Sequence, residues 1–178
     1  TLNAKMFNQT LFNGVSEQQP ITPSAQILEI IYLFDSNESL LAVLLQDSFF
    51  SPKYREVLNG EDTFTFSFPV NREEAEYIQK GHLVGFKDLD MSWQIFEIKK
   101  IVDIHFDGLT KMAYCEHIFY ELLDDIITDK RPYGSAITAL TGMLDGTRWQ
   151  VGIVDDLGVA STNAYYESTL SGVQKVVK

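Results

Sequence analysis

Two strand-like runs decide the fold of this chain: WQIFEIKKIVDIHF at residues 93–106 and LTKMAYCEHI at residues 109–118. Between them stands Asp107-Gly108, a pair that is typical of a tight two-residue hairpin turn. Both runs are rich in β-branched and aromatic residues, which favour extended structure. The sequence therefore predicts a long antiparallel hairpin as the centre of the fold.

A two-residue turn also fixes the register of this hairpin. It places Lys99 opposite Glu116, an opposite-charge pair worth roughly 0.2–1 kcal/mol. In the same register Lys100 and Lys111 fall among apolar neighbours. We therefore expect these two lysines to lie at an edge, to extend towards solvent, or to mark a bulge.

Further strands are predicted upstream of the hairpin. Strict alternation at residues 63–68 puts three phenylalanines on one face, the pattern of a half-buried strand. The preceding Asn59-Gly60-Glu61-Asp62 predicts a four-residue loop, with residues 54–58 as the partner strand. Residues 72–79 favour a short helical turn, and residues 82–87 favour another strand.

The C-terminal third carries the helix signals. Residues 135–144 are the best of them, because Ser135 can cap the helix and Gly146 can close it. Residues 149–154 have a strand pattern, and residues 171–178 favour a second helix. The apolar residues predicted to share one face of the first helix are Ile137, Leu140 and Leu144.

Composition indicates a folded chain. Of the 178 residues, 45% are apolar and 22% are charged, which allows a buried core. The fold class predicted is α+β, mainly β, with one or two short helices. Residues 1–29 are interpreted as a polar arm, linker or fused extension, and residues 30–178 as one β-rich domain. The apolar stretches at residues 27–34 and 40–45 are too short to span a bilayer, which takes roughly 20 residues.

Charge and cysteine content exclude several functional classes. Lysines and arginines number 14 against 25 acidic residues, a net charge of −11, which disfavours nucleic-acid binding through phosphates. The basic doublets Lys99-Lys100 and Lys130-Arg131 are too small to offset it. Cys115 is the single cysteine, so an internal disulfide and a cysteine-built zinc site are both excluded.

The triplet Cys115-Glu116-His117 combines a thiol, a carboxylate and an imidazole. Adjacent strand residues point to opposite faces, so Glu116 cannot connect the other two. Cys115 and His117 do share a face, and that face is the apolar one. We therefore predict an inert buried thiol and a structural histidine rather than a catalytic pair.

Other candidate site residues are weaker. The pairs Asp124-Asp125 and Asp155-Asp156 lack the alternating oxygen ligands of a calcium loop and are interpreted as solvated surface. His82 and His105 stand alone among strand residues. Phosphate-binding glycine loops and the serine nucleophile elbow are absent from the sequence. The sequence therefore predicts no catalytic, cofactor-binding or metal-binding residues and no cofactor.

Several runs in order resemble one family, the N-terminal hub region of tail-associated proteins from phages and prophages with long tails, the prophage endopeptidase tail family. The resemblance extends from about residue 31 to the end of the chain. The runs that carry it are Leu58-Asn59-Gly60-Glu61, the Phe64/Phe66/Phe68-Pro69 strand, residues 94–98, residues 116–122, and Leu140, Leu144 and residues 146–152.

This resemblance implies a β-barrel-like, tube-type hub domain at the tip of a phage tail. It implies a virion protein that forms a homo-oligomer, a trimer, capping the tail tube below the distal tail protein. The tail tube or tape-measure protein is a further expected partner, and roles in tail assembly and DNA ejection follow. Peptidoglycan-degrading activity, where the family has it, is expected in a downstream domain.

Two other functions remain open on sequence. A cell-wall-degrading endopeptidase or hydrolase would need Cys115 or His117 to react. A carbohydrate-binding or receptor-binding module would need Trp93 or Trp149 to form an exposed platform. Both tryptophans stand at predicted strand starts beside apolar residues, which favours packing in a core.

Overall fold

The computed structural model describes residues 28–57, 60–89, 91–105, 108–154, 159–161 and 163–176. The chain divides into two compact units, with the division between Ile118 and Phe119. No sequence signal had indicated this division. The predicted boundary of the polar arm at residue 29 stays a prediction, because residues 1–27 lie outside the described residues.

The first unit is one seven-stranded antiparallel sheet, a curled half-barrel. Its strand order is β2-β1-β5-β6-β7-β4-β3, so β6 lies at the centre, next to β7, and β2 and β3 lie at the edges. A short 3₁₀ helix, Glu73–Tyr77, follows β4. The strands are β1 (Ile30–Phe34), β2 (Leu40–Leu45), β3 (Phe50–Glu56), β4 (Asp62–Pro69), β5 (Leu83–Lys87), β6 (Trp93–Ile104) and β7 (Thr110–His117).

Aromatic side chains from the inner face of this sheet build its core. Phe64, Phe66 and Phe68 are at most 1% exposed, so the predicted alternation of β4 is confirmed. Phe86 of β5 and Phe96 of β6 stack with ring centroids 5.5 Å apart. Burying such rings removes large apolar areas from water and is the main stabilising contribution of this unit.

The predicted hairpin of β6 and β7 is confirmed, but its register is wrong. Ile104 pairs with Thr110, so the connection is longer than two residues; residues 106 and 107 lie outside those described. A bulge between Ile98 and Lys100 then inserts Lys99 as an extra residue. The bulge moves Lys100 off the apolar face, which is one of the outcomes expected for that lysine.

The same bulge changes the charge pairing. Glu97, not Lys99, lies opposite Glu116. Like charges in this position repel each other. Lys99 compensates from its own strand, because its Nζ lies 2.6 Å from Oε2 of Glu97. Lys111 extends away and donates a 2.9 Å hydrogen bond to the carbonyl oxygen of Ala75.

The hairpin of β3 and β4 is also confirmed, with a shifted loop. Glu56 pairs with Asp62, so Asp62 belongs to the strand rather than to the predicted loop. The connection closes through a 2.8 Å hydrogen bond from the backbone N–H of Val57 to the carbonyl of Glu61. The predicted helical turn at residues 72–79 is the 3₁₀ helix, and the strand predicted at residues 82–87 is β5.

The second unit packs two short helices with two small sheets. Ser135 caps α1, as predicted, because its Oγ accepts a 3.2 Å hydrogen bond from the N–H of Thr138. Gly146 follows the helix with a φ of 87°, a conformation that favours glycine. The elements are a 3₁₀ helix (Ile118–Leu123), β8 (Ile126–Lys130), β9 (Tyr133–Ser135), α1 (Ala136–Leu144), β10 (Val159–Ser161), β11 (Ala164–Ser168) and α2 (Thr169–Val176), with β8 paired to β11 and β9 to β10.

Two details of this unit differ from the prediction. Ile137 is 50% exposed, and the buried face of α1 instead includes Ala139 and Met143 beside Leu140 and Leu144. Residues 149–154 form no strand. The prediction failed there because Trp149, Val151 and Val154 pack individually against the second core.

The second helix prediction is confirmed, and α2 begins two residues earlier than expected. Gly172 permits its close approach to α1 and β8. A Cβ at this position would lie 2.8 Å from Cδ1 of Ile127 and 3.1 Å from Sδ of Met143.

The predicted fold class, α+β and mainly β, is confirmed. None of the helices in the described part is long and apolar enough to cross a membrane.

Candidate functional site

The most distinctive surface of the first unit is the free edge of its sheet at β2. This strand reads LLAVLL, and among the described strands it pairs with β1 alone. Leu40, Val43 and Leu45 are 56%, 40% and 55% exposed. An edge strand presents unpaired backbone N–H and C=O groups, which readily pair with another chain. We call the surface formed by residues 40–45 the β2 edge.

Aromatic rings of the neighbouring strands continue this apolar surface. Tyr32, which pairs with Val43, contacts Trp93 edge to face, with centroids 5.1 Å apart. Lys87 lies 5.6 Å above the Trp93 ring, a cation–π distance. Trp93 is half-buried between these partners on the outer face, and it belongs to neither described core, so the core packing predicted for it is wrong.

The opposite side of the sheet holds a buried carboxyl group that sequence reasoning missed. Asp62 is 2% exposed and lies directly across from Glu56. Burial, followed by the charge of Glu56, raises the pKa of Asp62 to about 7. Tyr54 donates a 2.9 Å hydrogen bond to Glu56, and burial raises the pKa of this tyrosine as well. The sequence did contain a signal for this site, namely the two acidic residues Glu56 and Asp62. Asp62 stands two residues before Phe64, the first phenylalanine of the alternating strand.

The geometry at Cys115 and His117 matches the inert pair that was predicted. Both side chains are buried, at 0% and 2% exposure, on the inner face of β7. Burial raises the pKa of the Cys115 thiol and lowers the pKa of His117 to about 3. A protonated thiol beside an inaccessible imidazole cannot serve as a nucleophile and its base.

The remaining candidate residues are not brought together. Asp124 and Asp125 are exposed after the second 3₁₀ helix, and Asp155-Asp156 lie outside the described residues. Nδ1 of His82 is 2.9 Å from the carbonyl oxygen of Tyr77, and His105 is exposed. Within the described ranges, no three His, Cys, Asp or Glu residues are grouped so that they could hold a metal ion.

Glu121 joins two of the sequence runs that carry the family resemblance. Its carboxylate receives two 2.6 Å hydrogen bonds from the Arg148 guanidinium. The Trp149 indole N–H also donates to it. A bidentate arginine–carboxylate pair is geometrically specific. Trp149 is thereby held half-buried against the second core, as packing had predicted.

Comparisons with known proteins match both units. The prophage endopeptidase tail N-terminal domain matches residues 30–117, and the prophage endopeptidase tail domain matches residues 121–178. The search of curated proteins found no match.

A solved structure has a similar fold. It is the prophage tail protein gp18 from Listeria monocytogenes EGD-e, with a TM-score of 0.58 at 16% sequence identity. The similarity covers 84% of this chain and 45% of the Listeria chain. The present chain therefore corresponds to less than half of that protein.

Proposed function

This chain belongs to the prophage endopeptidase tail family, and from that premise we propose that it is a structural subunit of an oligomeric hub at the tip of the tail. The observation that carries the proposal is the pair of consecutive family matches, one for each compact unit. Membership makes the chain a phage tail component. The hub, its symmetry and its place below the distal tail protein are the proposal.

The surface of the first unit supports a role in assembly. The β2 edge exposes apolar side chains and backbone groups that another chain would cover. Among the described residues, the candidate reactive groups Cys115 and His117 are buried, so neither is exposed at this edge. A subunit that neighbouring proteins cover in an assembly needs such an exposed apolar surface.

The net charge supports a passage for DNA. A chain with a charge of −11 repels the phosphates of a duplex, so a ring of such subunits would offer DNA few attachment points during ejection. The same charge opposes the association of identical subunits. Salt should therefore strengthen the hub by screening this repulsion.

Mass measurement by light scattering tests the proposal. We expect a trimer of about 61 kDa, three times the 20.2 kDa of one chain, whose population grows with added salt. The measurement is repeated with the distal tail protein, for which we expect a larger complex. A chain that stays monomeric at all salt concentrations and binds no distal tail protein would refute the hub.

An endopeptidase is the second candidate, and the family description is the observation that favours it. We propose that any such activity belongs to other parts of the whole protein. A zymogram on host cell walls tests this, with Cys115→Ala as the variant. Clearing by the wild type that disappears in the variant, while circular dichroism shows the variant folded, would favour the enzyme.

A further inference from the structure

The β2 edge lacks the features that normally protect an edge strand. Such strands usually carry lysines, prolines or bulges that prevent pairing with other chains. β2 carries neither charge nor proline. Its single irregularity lies at Leu41, beside the turn, and residues 42–45 pair regularly with β1. A regular apolar edge is competent to accept another strand.

Carboxylates stand beside the first half of this edge. A groove of about 430 Å³ is lined by Leu41–Val43 and by Glu73, Glu74 and Glu76 of the 3₁₀ helix, which packs close to β2. The backbone hydrogen bonds described for the helix join its own residues and neighbours, not β2. The groove therefore has an apolar side formed by the strand and an acidic side formed by the helix.

Carboxylates also stand beside Leu45, the last residue of the edge. A second groove, of about 570 Å³, is lined by Ile30 and Leu45 together with Glu29 and Asp47. In the described part of the chain, neither Glu29 nor Asp47 forms an ion pair. The edge is thus apolar along the strand itself and is flanked by carboxylates beside Leu41–Val43 and beside Leu45.

This charge pattern decides which strand fits. A second copy of β2, added antiparallel, would bring the flanking carboxylates of the two copies together and would be repelled. The other edge of a second copy, β3, is basic at Lys53 and Arg55, but Pro52 and a bulge interrupt it. A strand that combines apolar residues with positive charge matches both the apolar edge and the carboxylates that flank it.

We infer that the β2 edge binds an extended segment of a neighbouring protein by strand addition, and that this segment has apolar residues flanked by lysine or arginine that meet these carboxylates. Backbone hydrogen bonds along the strand provide affinity, and side-chain chemistry selects the partner. At about 3.3 Å per residue, a six-residue strand offers roughly 20 Å of pairing. The inference rests on the proposed function, in which the chain is surrounded by other tail proteins.

The test uses a synthetic peptide with alternating valine and threonine in its centre and two lysines at each end. Fluorescence anisotropy measures its binding to the whole chain, and amide hydrogen exchange locates it. We expect the amides of residues 40–45 to exchange about tenfold more slowly with the peptide bound. A peptide methylated on its backbone nitrogens should lose binding, because it cannot form the hydrogen bonds of a strand.

Variants of the chain separate strand addition from general attraction to an acidic protein. V43K/L45K places positive charge at exposed positions of β2 and should weaken binding of the lysine peptide about tenfold or more. E73Q/E74Q/E76Q should weaken it severalfold. The matched control D124N/D125N/D145N removes three exposed acids of the second unit and should leave binding within about twofold of the wild type.

Several results would overturn the inference. These are equal binding of a peptide with glutamates in place of lysines, equal binding of the methylated peptide, or equal weakening by the control triple variant. An oligomer of the wild type that V43K/L45K dissociates without any peptide would assign the edge to a second copy instead. The mass of each sample is measured in parallel, so failure of the hub and failure of peptide binding are recorded separately.

Discussion

The two edges of the seven-stranded sheet are built from different residues. β2 is apolar throughout and regular over residues 42–45. β3 contains Pro52, Lys53 and Arg55, and Ser51 in its bulge has a φ of 53°. Proline, charge and bulges are the means by which proteins prevent edge pairing. One edge of the same sheet is therefore closed to other strands, and the other is open.

This difference extends into the sheet. On the β2 side, Val43 of β2 and Tyr32 of the neighbouring β1 form an apolar outer surface. Beside β3, the outer face carries Thr63 and Thr65, and Asp62 is buried across from Glu56. The comparison teaches that the apolar, unprotected edge of this unit lies on its β2 side. Four sets of substitutions can sharpen or break it.

Phe64→Ala should have the largest effect. The Phe64 ring lies in the aromatic core with its centroid 4.6 Å from that of Phe86, and its removal leaves a cavity. We expect a loss of about 3–5 kcal/mol in the free energy of unfolding, measured by urea denaturation. Leu45→Ala on the β2 edge is the control, for which we expect under about 1 kcal/mol. A large loss at Leu45 would mean that the open edge is part of a core.

Asp62→Asn should come next and should depend on pH. The folded-state pKa of about 7 exceeds the ordinary value of 3.8, so the folded chain holds a proton that the unfolded chain releases. The free energy of unfolding of the wild type therefore loses a contribution as pH rises from about 4 to about 7, and above that the loss is constant. The asparagine side chain carries no charge, so the variant should gain on the order of a few kcal/mol over the wild type at about pH 8 and little at about pH 4.

Urea denaturation of wild type and variant at both pH values measures this gain. Taking the difference cancels the titration of His117, whose pKa burial lowers to about 3. Asp47→Asn removes an exposed carboxylate beside the β2 edge and is the matched control. A gain for Asp62→Asn that is the same at both pH values would contradict the buried ionisation.

Substituting residues of an edge strand should change the association of the chain more than its free energy of unfolding. P52V/K53V removes proline and charge from β3 and should open that edge. We expect its free energy of unfolding to change by less than about 1 kcal/mol while light scattering shows new aggregates. V43K on β2 should leave self-association unchanged, because the segment inferred to cover that edge belongs to another protein. Unchanged association in P52V/K53V would show that the bulge and Arg55 are enough to close β3.

Arg55→Ala should have the smallest effect. Arg55 forms a 2.8 Å ion pair with Glu61, but the two side chains are 59% and 63% exposed. Exposed pairs contribute little, so we expect a loss of under about 0.5 kcal/mol by thermal denaturation. A loss above about 1 kcal/mol would mean that this arginine holds the β3 hairpin in place.

The sequence predicted the elements better than it predicted their pairing. The alternation at residues 63–68, the cap at Ser135 and the buried pair of Cys115 and His117 are all found in the structure. The hairpin register was wrong because the bulge at Lys99 and the longer connection are not visible in a strict period of two. Lys100 among apolar residues was the signal of that bulge.

The candidate site was less accessible to sequence reasoning. The apolar run at residues 40–45 was recognised, but a buried central strand and an exposed edge strand have the same composition. Which of the two it is depends on the strands beside it. Asp62 was placed in a loop, and only the structure shows that its carboxyl group is buried in the strand opposite the exposed Glu56.

The sequence by itself determined the local features of this protein: extended alternation, a capped helix, an acidic composition and a family resemblance. These depend on near neighbours in the chain, whose geometry is fixed by backbone sterics and hydrogen bonding. Only the tertiary structure decided that β2 and β3 are the edges, that β2 is the unprotected one, and that carboxylates flank it. Those facts depend on the order of strands across the sheet, which arises from contacts between residues far apart in sequence.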